Sequence, residues 1–275
     1  MPSFARLVHF GILLAFFATI AMPSVPAQAG TPWDDVRAAL FGDRPIKAGG
    51  AALTLQAPYR AEDQRAVPLA VEARLADGRK IKAITLIVDE NPSPVAAVFR
   101  FADQRDRASL GVNIRLDHAS PIRVIVEASD GALYMTEKFV KASGLGVCSA
   151  PPSGDPEVAA RTMGEMQFTD LTGSDNAVGA TRFRRTAQLD IKHPQNTGMQ
   201  MNQITLLYVP LRFISAVEVR VGGQKLFDME SGMTLSENPH IVFDYSTGGA
   251  DQIEVRASDT SNKVWQQAFA LAPDS

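Results

Sequence analysis

One residue dominates the chemistry available to this chain. Cys148 is the only cysteine among 275 residues. It stands in Ala142-Ser143-Gly144-Leu145-Gly146-Val147-Cys148-Ser149-Ala150-Pro151-Pro152, where its neighbours are small, flexible or chain-breaking. A thiolate is a nucleophile and a covalent handle. Gly144 and Gly146 give the backbone freedom to flex and to enter a narrow cleft, and Pro151-Pro152 stiffens the far side. This setting predicts an exposed thiol on a loop, against the blander alternative of a small buried hydrophobe. The nearest cations in sequence, Lys138 and Lys141, are not adjacent, so sequence does not fix the basicity of the sulfur. Such a thiol suits a handle worked on by other proteins better than a self-activated catalyst.

No second constellation competes with it. The four histidines are His9, His118, His193 and His240, and none are spaced as metal ligands on one element. His193 and His240 adjoin prolines in turns, where an exposed or hydrogen-bonding histidine is ordinary. No glycine-rich phosphate loop opens a helix and no nucleophile elbow is present. Without a second cysteine there is no Cys-x-x-Cys pair and no resolving thiol. No catalytic residue, metal or cofactor is therefore expected, and the chain is expected not to be an enzyme.

The compartment makes the thiol more telling. Arg6 is followed by a nearly continuous apolar run over residues 7–21, then Pro23, Pro26 and Ala27-Gln28-Ala29. That order is a secretory signal peptide with cleavage expected after Ala29. The run is shorter than the roughly 20 residues that span a bilayer, so no membrane association is expected once it is removed. Cleavage takes the formal charge from −3 to −4, because the segment holds one basic residue and no acidic one. A net acidic protein excludes nucleic acid and anionic membrane as partners. An unpaired cysteine in an exported chain implies an intermolecular bond or a reactive thiol.

The elements that position Cys148 read as two β regions. Thr31-Pro32-Trp33-Asp34-Asp35 starts a helix, with Thr31 as cap and acidic residues at the positive end of the dipole. Trp33, Val36, Leu40 and Phe41 form its apolar stripe, with Trp33 a core anchor, and Gly42 stops it. Strands are then expected over 53–57, 67–75, 81–89, 95–101, 110–116, 122–128 and 133–140, with Asp77-Gly78 and Asp130-Gly131 as turns. The last of these delivers the chain into the cysteine loop. A helix capped by Asp155 is expected over 155–166, then a loop over 169–181. The second region alternates at 187–191, runs apolar at 205–208, and continues with strands at 214–221, 225–229, 240–245, 253–257 and 264–271. Many short strands separated by turn signals argue a β-sandwich or barrel in each half.

The halves also echo one another. Glu90-Asn91-Pro92 and Glu237-Asn238-Pro239 each precede a strand. Ala128-Ser129-Asp130 and Ala257-Ser258-Asp259 each end the strand before a final hairpin. This fits two related sandwiches, side by side, better than one continuous barrel.

Residues 31–152 resemble SoxY, the sulfur-carrying subunit of the bacterial thiosulfate-oxidising complex. The matching residues are Ala39-Leu40-Phe41-Gly42-Asp43-Arg44-Pro45, Val67-Pro68-Leu69, Asn91-Pro92-Ser93-Pro94, Asp130-Gly131-Ala132-Leu133-Tyr134 and the glycine-flanked Cys148. Residues 182–271 resemble SoxZ, its partner subunit, through His193-Pro194, Thr197-Gly198, Glu237-Asn238-Pro239 and the closing strands. The pattern is similar to fused SoxYZ-like carriers associated with quinoprotein (PQQ) alcohol dehydrogenases. The resemblance implies an all-β fold with two immunoglobulin-like β-sandwich domains, joined by a cysteine-bearing loop and a short helical linker. It implies a signal peptide at 1–29, a SoxY-like domain with an N-terminal helix at 30–147, a cysteine arm and linker at 148–180, and a SoxZ-like domain at 181–275. Cys148 becomes the covalent attachment site, with Gly144 and Gly146 as the flexible residues of its arm. The family arm is Gly-Gly-Cys-Gly-Gly at a free C-terminus, whereas here Gly146-Val147-Cys148-Ser149-Ala150 continues into a second domain.

Two functions follow. The first is a periplasmic carrier that holds a small sulfur compound on Cys148 for partner enzymes. The second is a non-catalytic accessory protein of a quinoprotein dehydrogenase system with no sulfur cargo. The expected partners are periplasmic sulfur-oxidising proteins, or a quinoprotein dehydrogenase and its cytochrome.

Overall fold

Alternation of apolar and polar residues builds most of the strands. The structure, a computed structural model, describes residues 31–76, 78–103, 105–144, 146–172 and 184–272. The expected signal peptide at 1–29 lies outside the described residues, as does 173–181 of the expected loop. Helix α1 (Pro32–Phe41) is closed by a Thr31–Asp34 capping box. The first half then forms β1 (Ile46–Ala48), β2 (Leu53–Gln56), β3 (Val67–Arg74), β4 (Ile81–Val88), β5 (Val95–Phe101), β6 (Arg107–Ile114), β7 (Ser120–Ala128) and β8 (Leu133–Val140). After helix α2 (Pro156–Thr162) come β9 (Met166–Asp170), β10 (Arg185–Ile191), β11 (Ile214–Val221), β12 (Gln224–Ser231), β13 (His240–Tyr245), β14 (Gln252–Asp259) and β15 (Val264–Ala270). In β3 every second residue is buried, the pattern of a strand with one face on the core. β4 is apolar nearly throughout and almost wholly buried, with Ile81, Ile84, Leu86, Ile87 and Val88 inside.

The fold is all-β: two sheets face each other, and each half contributes an immunoglobulin-like sandwich. One sheet runs β1-β8-β7-β4-β5-β12-β11-β14-β15 and the other β2-β3-β6-β13-β10-β9. The halves join edge to edge. β5 pairs antiparallel with β12 and β6 pairs antiparallel with β13, so both sheets continue across the joint. This pairing satisfies edges that would otherwise template aggregation. It also replaces two separate cores with one. Phe99 of β5 meets Phe227 of β12 edge-on at 5.6 Å, and Phe227 meets Phe243 of β13 at 5.2 Å. A single apolar cluster accordingly runs from Leu53 to Leu271. Polar groups clasp the joint beside it. Buried Arg105 donates to Asp244 Oδ1 at 3.1 Å, and that same oxygen accepts the Ser109 N–H at 2.7 Å.

The repeat is real for one echo and not for the other. β7 and β14 occupy equivalent places in the two sandwiches, and each ends in its Ala-Ser-Asp before the final hairpin. Glu90-Asn91-Pro92 lies between β4 and β5, whereas Glu237-Asn238-Pro239 lies between β12 and β13, which is a different connection.

Other expectations are corrected. Met166 to Asp170 forms strand β9 on β10, because Met166 and Phe168 find a sheet edge and a core to join. The helix before it is shorter than 155–166. The apolar run 205–208 forms no strand. Leu206 turns the chain at φ 56°, and Ile204, Leu206, Leu207 and Tyr208 stand exposed. Trp33 is half-buried against the secondary cluster of Phe41, Ile87, Ile125 and Leu133, with the Arg123 guanidinium 4.5 Å above its ring. Among the described residues no helix is long and apolar enough to cross a membrane.

Candidate functional site: the cysteine cradle at the joint

Strand β8 delivers the chain to the seam between the two halves, and there the expected open loop is folded down. Cys148 is buried, 1% exposed, while Ser149 beside it is exposed. The expectation of an exposed thiol is corrected. Local composition permits an open loop, but partners distant in sequence close it. Gly146 sits at φ 74°, a left-handed position that opens a single 3-10 turn over Val147–Ser149. Its glycine serves this fixed turn, and the expected flexing role is not how the residue is used in the docked state. Gly144 is also held: its N–H donates to Gln64 Oε1 at 2.6 Å, and its carbonyl accepts from Gln64 Nε2 at 3.2 Å.

Both halves grip the cysteine itself. Its backbone N–H donates to Asp117 Oδ1 at 2.7 Å. Its carbonyl accepts from the Thr197 hydroxyl at 2.6 Å. The negative charge of the same Asp117 carboxylate also acts on the thiol. Asp117 is 5% exposed, is oriented by Asn91 Oδ1 accepting its N–H at 2.9 Å, and meets His118 Nδ1 at 3.0 Å. Downstream, the Ser153 hydroxyl donates to Glu237 Oε2 at 2.6 Å. A cleft of about 190 Å³ opens beside the turn, between Arg65, Arg115, Val147, Pro152, Gln200 and Glu237.

Arg115 supplies the cation that sequence did not place near the sulfur. It follows the end of β6, is 4% exposed, and hydrogen-bonds no carboxylate among the described residues. Its Nη1 donates to the carbonyls of Gln195, Met233 and Leu235 at 2.8, 3.2 and 3.0 Å, and Nη2 reaches that of Pro194 at 3.5 Å. Carbonyl dipoles of the second half thus solvate a charge from the first. Burial nevertheless lowers the Arg115 pKa.

Burial and Asp117 together set the state of the thiol. Desolvation first, then the Asp117 charge and hydrogen bond, push its pKa up to about 12, with Arg115 opposing weakly. Docked Cys148 is therefore a protonated, masked thiol at neutral pH and not a nucleophile.

These bonds make the cradle's tightness measurable. Thr197→Val removes one buried donor and leaves the Cys148 carbonyl unpaired, at a cost of about 1–2 kcal/mol. Modification of Cys148 by an uncharged thiol reagent should speed up by roughly tenfold, followed by intact mass. An unchanged rate would show that Thr197 does not hold the turn closed.

The comparisons with known proteins bear on this place directly. Residues 37–148 match the family described as "Sulfur oxidation protein SoxY", so the match ends on the cysteine. Residues 180–270 match "Sulphur oxidation protein SoxZ". The chain carries a SoxY domain followed by a SoxZ domain. A sulfur carrier protein SoxY from Chlorobium limicola f thiosulfatophilum is similar at 28% identity, over 40% of this chain and 90% of that one, with a TM-score of 0.34. A superoxide reductase (neelaredoxin) from Ignicoccus hospitalis is similar at 13% identity, over 36% and 94%, with a TM-score of 0.30. No curated protein matches the chain.

The SoxY domain therefore brings Asp117, Arg115 and Cys148, and the SoxZ domain brings Thr197, Gln200 and Glu237. Of these, sequence reasoning singled out Cys148 as the site. The others were missed because each lies at least 31 residues from the cysteine. A signal for two of them existed, since Arg115 and Asp117 flank Leu116 where the alternation of β6 runs out.

His193, in the first turn of the SoxZ domain, is buried and not exposed. Its Nδ1 accepts the Gln195 N–H at 3.1 Å, and Nε2 stands 3.6 Å from Asp259 Oδ2, which Arg212 holds at 2.7 Å. Desolvation lowers its pKa from 6.5 to about 4 despite the Asp259 charge. Below 6.5 the unfolded chain takes up a proton that the folded one refuses, so stability falls as pH drops from 6.5 to about 4. The slope from this group approaches about one proton. Urea midpoints across that window should flatten in His193→Gln, and an equal slope in both proteins would refute the assignment.

Proposed function

We propose that this SoxY–SoxZ fusion is an exported, periplasmic sulfur carrier that holds a small sulfur species covalently on Cys148 while partner enzymes act on it. The observation that carries the reading is the position of the chain's one thiol: it closes the SoxY match and is gripped by both domains. With thiosulfate as cargo, R–SH and S2O3²⁻ give R–S–S–SO3⁻, one proton and two electrons. The electrons leave to an electron-accepting partner protein, because the chain has no second cysteine to take them. Loading requires the turn to open, which breaks the bonds to Asp117 and Thr197 and restores an ordinary thiol pKa. Gly144 and Gly146 then serve as the hinge residues of a doubly tethered arm. The domains expected at 30–147 and 181–275 work as one body in this reading, with the arm and linker at 148–180 between them.

Burial of the thiol favours a second reading. A masked cysteine with its pKa pushed up to about 12 also suits an accessory protein of a quinoprotein alcohol dehydrogenase that carries no sulfur.

One variant separates the two. Cys148→Ala costs no more than about 1–1.5 kcal/mol of stability, since only a small group leaves the core. In the producing organism it is expected to abolish thiosulfate consumption while the folded protein accumulates normally. Normal thiosulfate consumption, with the protein co-purifying with a dehydrogenase at unchanged yield, would favour the accessory reading.

A further inference from the structure

We infer that Asp117 sorts the charge states of the carrier: the free thiol docks against its carboxylate, and an anionic sulfur adduct on Cys148 is expelled from the cradle. This rests on the carrier reading above. The backbone N–H of Cys148 donates to Asp117 Oδ1 at 2.7 Å, so the docked thiol lies beside that carboxylate and under its charge. An adduct such as R–S–S–SO3⁻ has no proton to donate and brings a negative charge against a carboxylate that is 5% exposed.

The groups facing the sulfur decide the balance. Arg115 is the cation acting on Cys148 in the cradle, but its Nη1 is committed to the carbonyls of Gln195, Met233 and Leu235, and its Nη2 lies 3.5 Å from that of Pro194. His118 touches the far carboxylate oxygen at 3.0 Å and reaches Cys148 only through Asp117. Asp117 is therefore the charge held directly against the cysteine, by the bond from its backbone N–H. Like charges at such a separation, partly shielded from water, repel strongly. Burial disfavours the anion in the same direction.

The consequence is a carrier whose arm reports its own load. An unloaded arm rests closed, and its thiol is protected from stray oxidation. A loaded arm stands open, with its cargo presented. Removing the charged group returns the arm to the cradle, so enzymes that act on the adduct meet it presented, while loading still requires the turn to open. Asp117 acts on cargo presentation and is a positioning residue.

The test loads the full-length protein chemically with two adducts. Tetrathionate reacts with the thiolate to give R–S–S–SO3⁻ and releases thiosulfate. Methyl methanethiosulfonate gives the uncharged R–S–S–CH3, and the thiol proton leaves with methanesulfinate. Loading is verified by intact mass, and hydrogen exchange is read on the peptide spanning 147–153. The anionic adduct should exchange on the order of 100-fold faster there than the neutral one. In Asp117→Asn the contrast should shrink to under about tenfold, because Asn still accepts the backbone bond but carries no charge. Equal exchange of the two adducts in the wild type overturns the proposal. So does a contrast that persists in full in Asp117→Asn, because bulk or desolvation would then be the cause. If that variant fails to fold, equal exchange in the wild type still overturns the proposal, and Asp117→Ser, smaller and also uncharged, supplies the charge contrast. Because both adducts are made chemically, this result is independent of whether cells load the thiol at all.

Discussion

Replacing Arg115 with methionine is expected to cost about 3–5 kcal/mol. Methionine fills much of the volume of the aliphatic stem, so the effect is not a cavity. It is the loss of the donors that satisfy the carbonyls of Pro194, Gln195 and Leu235, buried at the joint, and of half-buried Met233. Each carbonyl left dry costs about 1–3 kcal/mol, reduced where the structure relaxes or water enters. For a chain of this size the melting temperature should fall by about 10 °C. The same variant also removes the cation beside Cys148, so the docked sulfur loses its one favourable charge. The measurement is a urea melt with and without thiol labelling. A stability within about 1 kcal/mol of the wild type would show that water replaces the guanidinium, and that Arg115 is not the pin between the domains.

Phe227→Ala carries the second large effect, about 3–5 kcal/mol, with a different signature. Phe227 is fully buried on β12 and touches rings from both halves: Phe99 at 5.6 Å, Phe101 at 6.2 Å and Phe243 at 5.2 Å. It therefore belongs to neither sandwich alone. Both sheets and the apolar cluster run through the joint, so the two domains should unfold together. Phe227→Ala is expected to shift one cooperative calorimetric transition downward as a whole. Two resolved transitions, with only the later half of the chain destabilised, would contradict a shared core. They would restore the picture of two sandwiches with separate interiors.

That shared core marks the boundary of what sequence discloses here. The strands themselves were legible. Val67, Leu69, Val71 and Ala73 alternate and are buried, and Thr31, Asp34 and Gly42 announce the first helix and its end. Cys148 was legible as the site because its type and uniqueness are compositional facts. The joint was not legible, since nothing in the spacing of Phe99 and Phe227 says that β5 and β12 become neighbours. Burial of the thiol was illegible for the same reason. Its loop is built of small residues, and what closes it are Asp117, 31 positions before, and Thr197, 49 positions after. The run at 205–208 misled in the opposite direction. It is apolar enough for a strand, yet it turns at Leu206 and pairs through an isolated bridge of Tyr208 to Met201. Local patterns therefore gave the parts reliably, and long-range pairing decided how the parts present the sulfur.

The most direct test of the account is the intact mass of the protein freshly isolated from cells oxidising thiosulfate, before and after reductant, with the peptide bearing Cys148 identified. The account predicts an added mass on Cys148, matching a sulfane, sulfonate or thiosulfonate group, that reductant removes. A Cys148 that is always recovered as the free thiol, and stays unmodified when the protein is opened in the presence of thiosulfate, sulfite or polysulfide with an electron acceptor, would contradict the carrier.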